Sequence, residues 1–233
     1  HIPVVGLLVP MGQGTTAFAL IASLLVGGLA CAGYFTMRGT RALSCLFASC
    51  LMLYSAIMIQ AQMGRIEMHF HIFAALALVI IYRDWLPVVI GAATIAVHHL
   101  VLTGLQLSDA SLGTMPLIIF DYDCSWSIAF LHAAFVVFEA AILVFFAIRM
   151  GAEQKESTQI IGIVRDFDSD KDLTGRLSGA ENSITAKSFN KMLDQFVGMI
   201  AQLRDLAGEL RTNADDMTTV SDTTTQIANE QQA

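Results

Sequence analysis

The chain has 233 residues, 55% of them apolar and 14% charged, with a formal charge of −7. Residues 1–152 hold five basic and six acidic side chains, whereas residues 153–233 hold eight and fourteen. The first portion is too apolar for a soluble domain and the second is polar and nearly free of aromatics, which excludes a secreted soluble protein. The absence of a basic stripe argues against a nucleic-acid binder. A start at His1 and an end within a polar helical pattern read as a piece of a longer protein, with partners missing at both ends.

In chain order, Ile2–Val9 reads as the outer end of a truncated first helix, closed by Pro10, Gly12 and Gly14. Thr15–Phe35 and Ala42–Ala61 are apolar and free of charge, long enough to cross the hydrocarbon layer, which takes about 20 residues at a rise of about 1.5 Å. A shorter run, Met68–Tyr82, ends at Arg83, Asp84 and Trp85. After Pro87 comes Val88–Leu105, and the last run, Trp126–Ile148, stops at Arg149. Five full helices and one truncated helix are expected. Residues 106–123 read as a connection whose apolar piece, Leu117–Phe120, dips into the headgroup region. If Arg149 leads into the cytoplasm, the 62–67 turn and the 106–123 loop lie outside, while Arg38, Arg41 and Arg83 lie inside, as the positive-inside rule favours; Arg65 is the exception.

All six histidines, His1, His69, His71, His98, His99 and His132, fall in the membrane portion. The alternation of helix direction brings them to one depth, near the outer face. A buried neutral imidazole needs a hydrogen-bond partner or a metal. His69 and His71 lie about 200° apart around a helix, so both ligate one ion only if the helix start is distorted; His98 and His99, about 100° apart, can divide between a ligand and a supporting residue. The set is compatible with copper, iron or zinc, and with haem b held by axial histidines. It is equally compatible with a proton-responsive cluster or with structural polar contacts between helices.

Two acids accompany the histidines. Glu67 either orients an imidazole or sits at the interface beside Arg65. Glu139, seven residues after His132 and so about 10 Å deeper on nearly the same face, either couples the outer site to the interior or makes a structural contact. Cys31, Cys45, Cys50 and Cys124 show no CxxC spacing and read as small apolar residues, with Cys124 a candidate reactive thiol. No buried lysine is available for a retinal Schiff base. Arg83–Asp84–Trp85 reads as an interfacial anchor with a salt bridge and a Trp at headgroup level.

Beyond Arg149, Ile160, Ile163, Val164 and Phe167 describe one short helix, and 168–179 an acidic connector whose Leu173 and Leu177 tuck against helices. From Ile184 on, Phe189, Phe196, Leu203, Leu210 and Met217 recur every seven residues, with Leu193, Ile200, Ala207 and Ala214 four after them. This is an a/d seam for helix association.

Asp172–Leu177 followed by Ser188–Leu193 resembles the connector and second helix of a HAMP signal-relay module, and the Thr/Asp/Gln-rich helix after it resembles the start of a methyl-accepting chemoreceptor signalling hairpin. The usual proline early in the first HAMP helix is absent, and Ala180–Ile184 departs from the usual acidic pattern. Met68–His71, Tyr82–Trp85 and His98–His99 resemble the histidine-rich membrane sensor region of some bacterial chemoreceptors and cyclic-dinucleotide enzymes. These resemblances imply an all-α protein: a multi-pass transmembrane bundle, then a parallel dimeric HAMP-like four-helix bundle and a coiled-coil start. The expected division is 1–149 sensor, 150–205 relay with Phe189, Leu193, Phe196, Ile200, Leu203 and Leu210 in its core, and 206–233 the start of a signalling helix. They further imply a non-enzymatic receptor of the bacterial inner membrane, cytoplasmic after about residue 149. Its partners would be the bilayer, a second copy, and a coupling protein and histidine kinase reached through a distal region. A membrane haem or copper electron-transfer protein or oxidoreductase is the second reading of the histidines, and a metal transporter the third.

Overall fold

The computed structural model describes residues 1–179 and 181–231. Ala180, within the Ala180–Ile184 stretch compared above, and Gln232 and Ala233, at the end of the 206–233 segment, lie outside the described residues. The fold is all-α apart from one two-residue hairpin, and it divides into two units, His1–Gln154 and Lys155–Ala233.

In the first unit a π-helical turn, Val4–Leu8, precedes α1 (Thr16–Met37), α2 (Arg41–Ala61), α3 (Ile66–Leu78) with a 3-10 turn (Val79–Tyr82), and α4 (Trp85–Leu107). A short antiparallel pair, β1 (Ser111–Leu112) and β2 (Met115–Pro116), leads to α5 (Trp126–Asp170). Four of these helices, α1, α2, α4 and α5, are long and apolar enough to cross a membrane; the fifth expected span, Ile66–Tyr82, is shorter. Large apolar side chains such as Leu25, Phe35, Val137 and Phe138 stay exposed on α1 and α5. A helix apolar on all sides is what a lipid surround selects.

Helix α2 is the central element, packed against α1, α3 and α4. One core fills the space among α2, α3, α4 and the start of α5, through Met52, Ile59, Ile72, Leu76, Ile95, Ala129 and Val136. A second, around Val5, Ala19, Val26, Tyr54 and Ile57, joins α1 and the π-turn to α2. Two buried polar groups tie neighbouring segments together: Thr15 Oγ1 donates to the Ala61 carbonyl at 2.7 Å, and Tyr54 donates to Ser23 O at 3.2 Å.

At one end of this unit lie the turns 38–40 and 83–84. Asp84 caps α4 by accepting from Leu86 N at 3.0 Å, and its carboxylate also receives both Nε and Nη2 of Arg41, at 2.5 and 2.6 Å. The Arg41 guanidinium lies 5.3 Å from the Trp85 ring centroid. This joins the adjacent ends of α2 and α4. Close by, α5 approaches the Arg83 carbonyl at Gly151, where a Cβ would stand 2.7 Å from that oxygen.

In contrast to the expected helix end at Arg149 and a separate helix around Ile160–Phe167, α5 is unbroken to Asp170. The change of composition at Arg149 alters what surrounds a helix, not its hydrogen bonding. The only glycines in the stretch, Gly151 and Gly162, are tolerated at a cost of about 1 kcal/mol each.

The second unit comprises the end of α5, a connector, and α6 (Ile184–Gln231). Leu177 is buried, and its N–H and carbonyl are both held by the Asn190 side-chain amide, at 2.8 and 3.0 Å. Arg176 donates to Asp194 at 2.7 Å and to the carbonyls of Leu173 and Gly175. Ser183 caps α6 through Ala186 N and donates to Glu156 at 2.8 Å. Leu193 is buried and Phe189 half-buried, while Phe196, Ile200, Leu203 and Leu210 are exposed along α6.

Candidate functional site

The six histidines fall into two sets of ring contacts, His1 with His71, and His69, His98, His99 and His132. His69, in the first turn of α3, His99, two turns before the end of α4, and His132, in the second turn of α5, meet at the end of the bundle opposite Arg41 and Arg83. Their ring centroids stand 5.4 Å (His69–His99), 5.4 Å (His69–His132) and 6.2 Å (His99–His132) apart. His69 and His99 are buried and His132 half-buried.

Each of the three makes the same local bond. Nδ1 of His69 contacts the carbonyl of Arg65 at 3.2 Å, that of His99 contacts Ile95 at 3.0 Å, and that of His132 contacts Ile128 at 3.0 Å. A carbonyl only accepts, so the hydrogen sits on Nδ1, and in the neutral ring Nε2 is left as an electron-pair donor. Among the described residues no hydrogen bond reaches the buried Nε2 of His69.

The other histidines have further contacts. The His98 ring lies 5.3 Å from that of His99, edge to face, and His98 also borders two open apolar grooves of about 370 and 510 Å³, lined also by Leu53 and Leu102; its buried Nδ1 is unpartnered. His71 faces α2, its Nδ1 2.7 Å from Ser55 Oγ, and its ring lies 5.4 Å from His1, which in turn lies 5.0 Å from Tyr54. The angular offset expected from the sequence thus separates His69 from His71, whereas His98 and His99 stay in ring contact. Glu67 is exposed and 3.5 Å from Arg65, and Glu139 holds a buried Oε2 with no partner.

The loop after α4 supplies what the sequence left unassigned. Ile119 and Phe120 are fully buried within the protein. The Phe120 ring stacks on His69 at 5.6 Å and 13°, and stands 5.0 Å from His132 and 6.2 Å from His99. Gln106 holds this segment: its Oε1 accepts from Ile119 N and Phe120 N at 2.7 and 3.1 Å, and its Nε2 donates to Phe120 O at 2.8 Å. Gln60 does the same one step earlier, donating to Pro116 O at 2.9 Å and accepting from Ile118 N at 3.1 Å. Gly64, at φ +81°, lies under the segment; a Cβ there would stand 2.8 Å from the backbone of Phe120 and Asp121. Polar amides in the final turns of otherwise apolar helices, at the histidine end of the chain's runs, were the available signal for this plug.

Beside the plug, burial first and Asp123 second push the Cys124 thiol up, so it is protonated at neutral pH and is a poor nucleophile. Cys31, Cys45 and Cys50 are likewise free. Among the described residues no three His, Cys, Asp or Glu side chains already stand in a metal-ligating arrangement. The cavity between His99 and His132, bordered by Ile95, Ala129 and Val136, measures about 10 Å³.

No protein-family profile and no solved structure matches the chain. A 72-residue stretch is 33% identical to Transducer protein Htr8 of Halobacterium salinarum, covering 31% of this chain and 11% of that protein. The chain therefore matches about a ninth of the length of that transducer.

Proposed function

We propose that the chain is the membrane sensor and first relay segment of a receptor-type signal transducer, and not an enzyme. The observation that carries this reading is the gathering of three imidazoles, two of them buried, against an anchored plug, in a chain with four helices able to cross a membrane. The local similarity to a protein named as a transducer supports it. In this reading the 62–65 and 108–125 segments face outward, residues after about 149 are cytoplasmic, and the membrane is the bacterial inner membrane. Occupancy or redox change at the histidine centre shifts α5, whose second turn carries His132. The shift alters the balance between two packings of a HAMP-like parallel dimer, with Phe189, Leu193, Phe196, Ile200, Leu203 and Leu210 along its seam. A coupling protein and a histidine kinase would read the outcome through a distal region. Glu139, partway along α5, is a coupling residue in this scheme.

The test joins this chain to the output region of a characterised chemoreceptor, in cells lacking other receptors, and follows kinase activity as metal, oxygen and redox state are varied. His132→Ala is expected to change the response while membrane insertion is kept. An unchanged response in the His69, His99 and His132 variants overturns the reading. Labelling of single cysteines placed at Asp109 and Glu153 from either side of the membrane checks the orientation.

A second reading, a haem or copper electron-transfer protein or oxidoreductase, draws on His98. The grooves it borders are of the size, roughly 300–1,000 Å³, that organic cofactors such as haem b require. A redox-sensitive Soret band lost in His98→Ala is its signature. Metal flux that survives removal of residues after 154 would favour a transporter instead.

A further inference from the structure

The three-ring centre has a chemical requirement that its own residues do not meet. Three neutral imidazoles give their Nδ1 hydrogens to carbonyls on their own helices, so each ring keeps an Nε2 electron pair, and that of His69 is buried with no hydrogen-bond partner among the described residues. A buried acceptor without a donor is costly. The neighbouring side chains, Phe120, Ile119, Ile95 and Ala129, bring no donor, and the buried Thr103 hydroxyl, one turn beyond His99, makes no hydrogen bond to them. A single water has two hydrogens to offer three acceptors. A cation that accepts three electron pairs satisfies all of them.

Geometry points the same way. With metal–nitrogen distances of about 2.0–2.1 Å, two imidazoles sharing an ion at tetrahedral to trigonal angles place their ring centroids about 5.2–5.5 Å apart. Two of the three separations here are 5.4 Å; the third, His99–His132, is 6.2 Å and must close by less than about 1 Å. That residual gap is consistent with the three side chains not yet standing in a ligating arrangement. The Nδ1-to-carbonyl bonds are those that orient ligating histidines and raise the basicity of Nε2.

We propose that Nε2 of His69, His99 and His132 together bind one late first-row transition-metal ion beneath the Phe120 ring, and that copper(I) is its occupant. Imidazole suits copper and zinc alike, so charge decides between them. The pocket itself holds no anionic side chain; Asp121, which acts on His69 electrostatically, is exposed. Desolvation cost rises steeply with ionic charge, so a singly charged ion is favoured over a doubly charged one. His71 and His1 lie outside the set, and His98 borders it through its ring contact with His99. The inference rests on reading the three-ring centre as the sensing site, and it names what that site holds.

The experiment loads the full chain, purified in detergent, with copper under reducing conditions and separately with zinc. It measures bound metal per chain, affinity by competition with a chelator, and the X-ray absorption fine structure of the bound ion. Expected are one copper per chain with a shell of about three nitrogens, and copper held more tightly than zinc. His69→Ala, His99→Ala and His132→Ala should each lower affinity at least tenfold, while His71→Ala leaves it unchanged. Circular dichroism and gel filtration establish which variants fold, and the spectrum of the unsubstituted protein decides the matter without them. No stoichiometric metal, a shell dominated by sulfur, or equal loss in His71→Ala overturns the site; tighter zinc overturns its assignment to copper. A chain that signals through these histidines without metal overturns this inference alone. A chain that holds the ion while no histidine variant changes output overturns the receptor reading alone.

Discussion

The two units solve the problem of burial in opposite ways. In His1–Gln154 the chain closes on itself: α2 is enclosed by its neighbours, and even the polar groups of the histidine end are held by Gln60, Gln106 and Gly64. In Lys155–Ala233 only Leu177, Ala186 and Leu193 among the described apolar residues are buried, and the heptad positions further along α6 stay exposed. In the proposed dimer a second chain would bury that seam. Stability in the first unit should therefore respond to single internal contacts, and that of the second to concentration.

The largest effect expected from this contrast is in the second unit. Leu203→Asp combined with Leu210→Asp should weaken self-association at least about a hundredfold, since each buried leucine contributes roughly 1.5–3 kcal/mol. Sedimentation in detergent measures it, and the unfolding temperature of the membrane unit should not move. If both change together, the units are not independent in their energetics.

Within the first unit, Gly64→Val is expected to cost about 3 kcal/mol or more, because a β-branched residue is strained at φ +81° and its Cβ meets the Phe120 backbone. Gln106→Leu should cost about 2–3 kcal/mol, as two backbone N–H groups lose their acceptor. Faster hydrogen exchange confined to Ile119 and Phe120 is its signature; exchange unchanged there would mean that the plug is held by packing alone. Asp84→Ala should cost only about 1 kcal/mol, mostly the helix cap, because the bond to Arg41 is largely exposed.

The smallest effect is electrostatic and lies in the second unit. The Thr174 hydroxyl and N–H hold the Asp172 carboxyl below its ordinary value near 3.8. A depressed carboxyl contributes stability that is complete above the unfolded value and is lost as pH falls through the folded one. The turn should thus be insensitive to pH near neutrality and loosen only in acid below about pH 4, seen as a shift of the Thr174 amide resonance that is absent in Asp172→Asn.

The legibility of these features in the sequence was uneven for physical reasons. Helix direction alternates with each span, so the shared depth of His69, His99 and His132 could be worked out from order and length alone. Their rotation about each helix could not, because a span apolar on every side carries no face to orient it; whether His98 or His99 joins the group depends on packing. Phe120 was hidden in a four-residue apolar piece, too short for periodicity to place. Its anchors, Gln60 and Gln106, looked like helix-end polarity until their amides met the loop backbone. The connector residue Leu177, by contrast, was legible, because an isolated leucine in a polar turn has few ways to leave water other than against the flanking helices.

Gly151 sets the freedom of α5. With no side chain between α5 and the Arg83 carbonyl, the helix can slide lengthwise or tilt about that crossing while keeping its distance. Axial rotation is another matter, since a turn of one residue, about 100°, brings the side chain of Met150 or Ala152 against the same oxygen. The crossing works as a keyway: it passes translation and resists torsion.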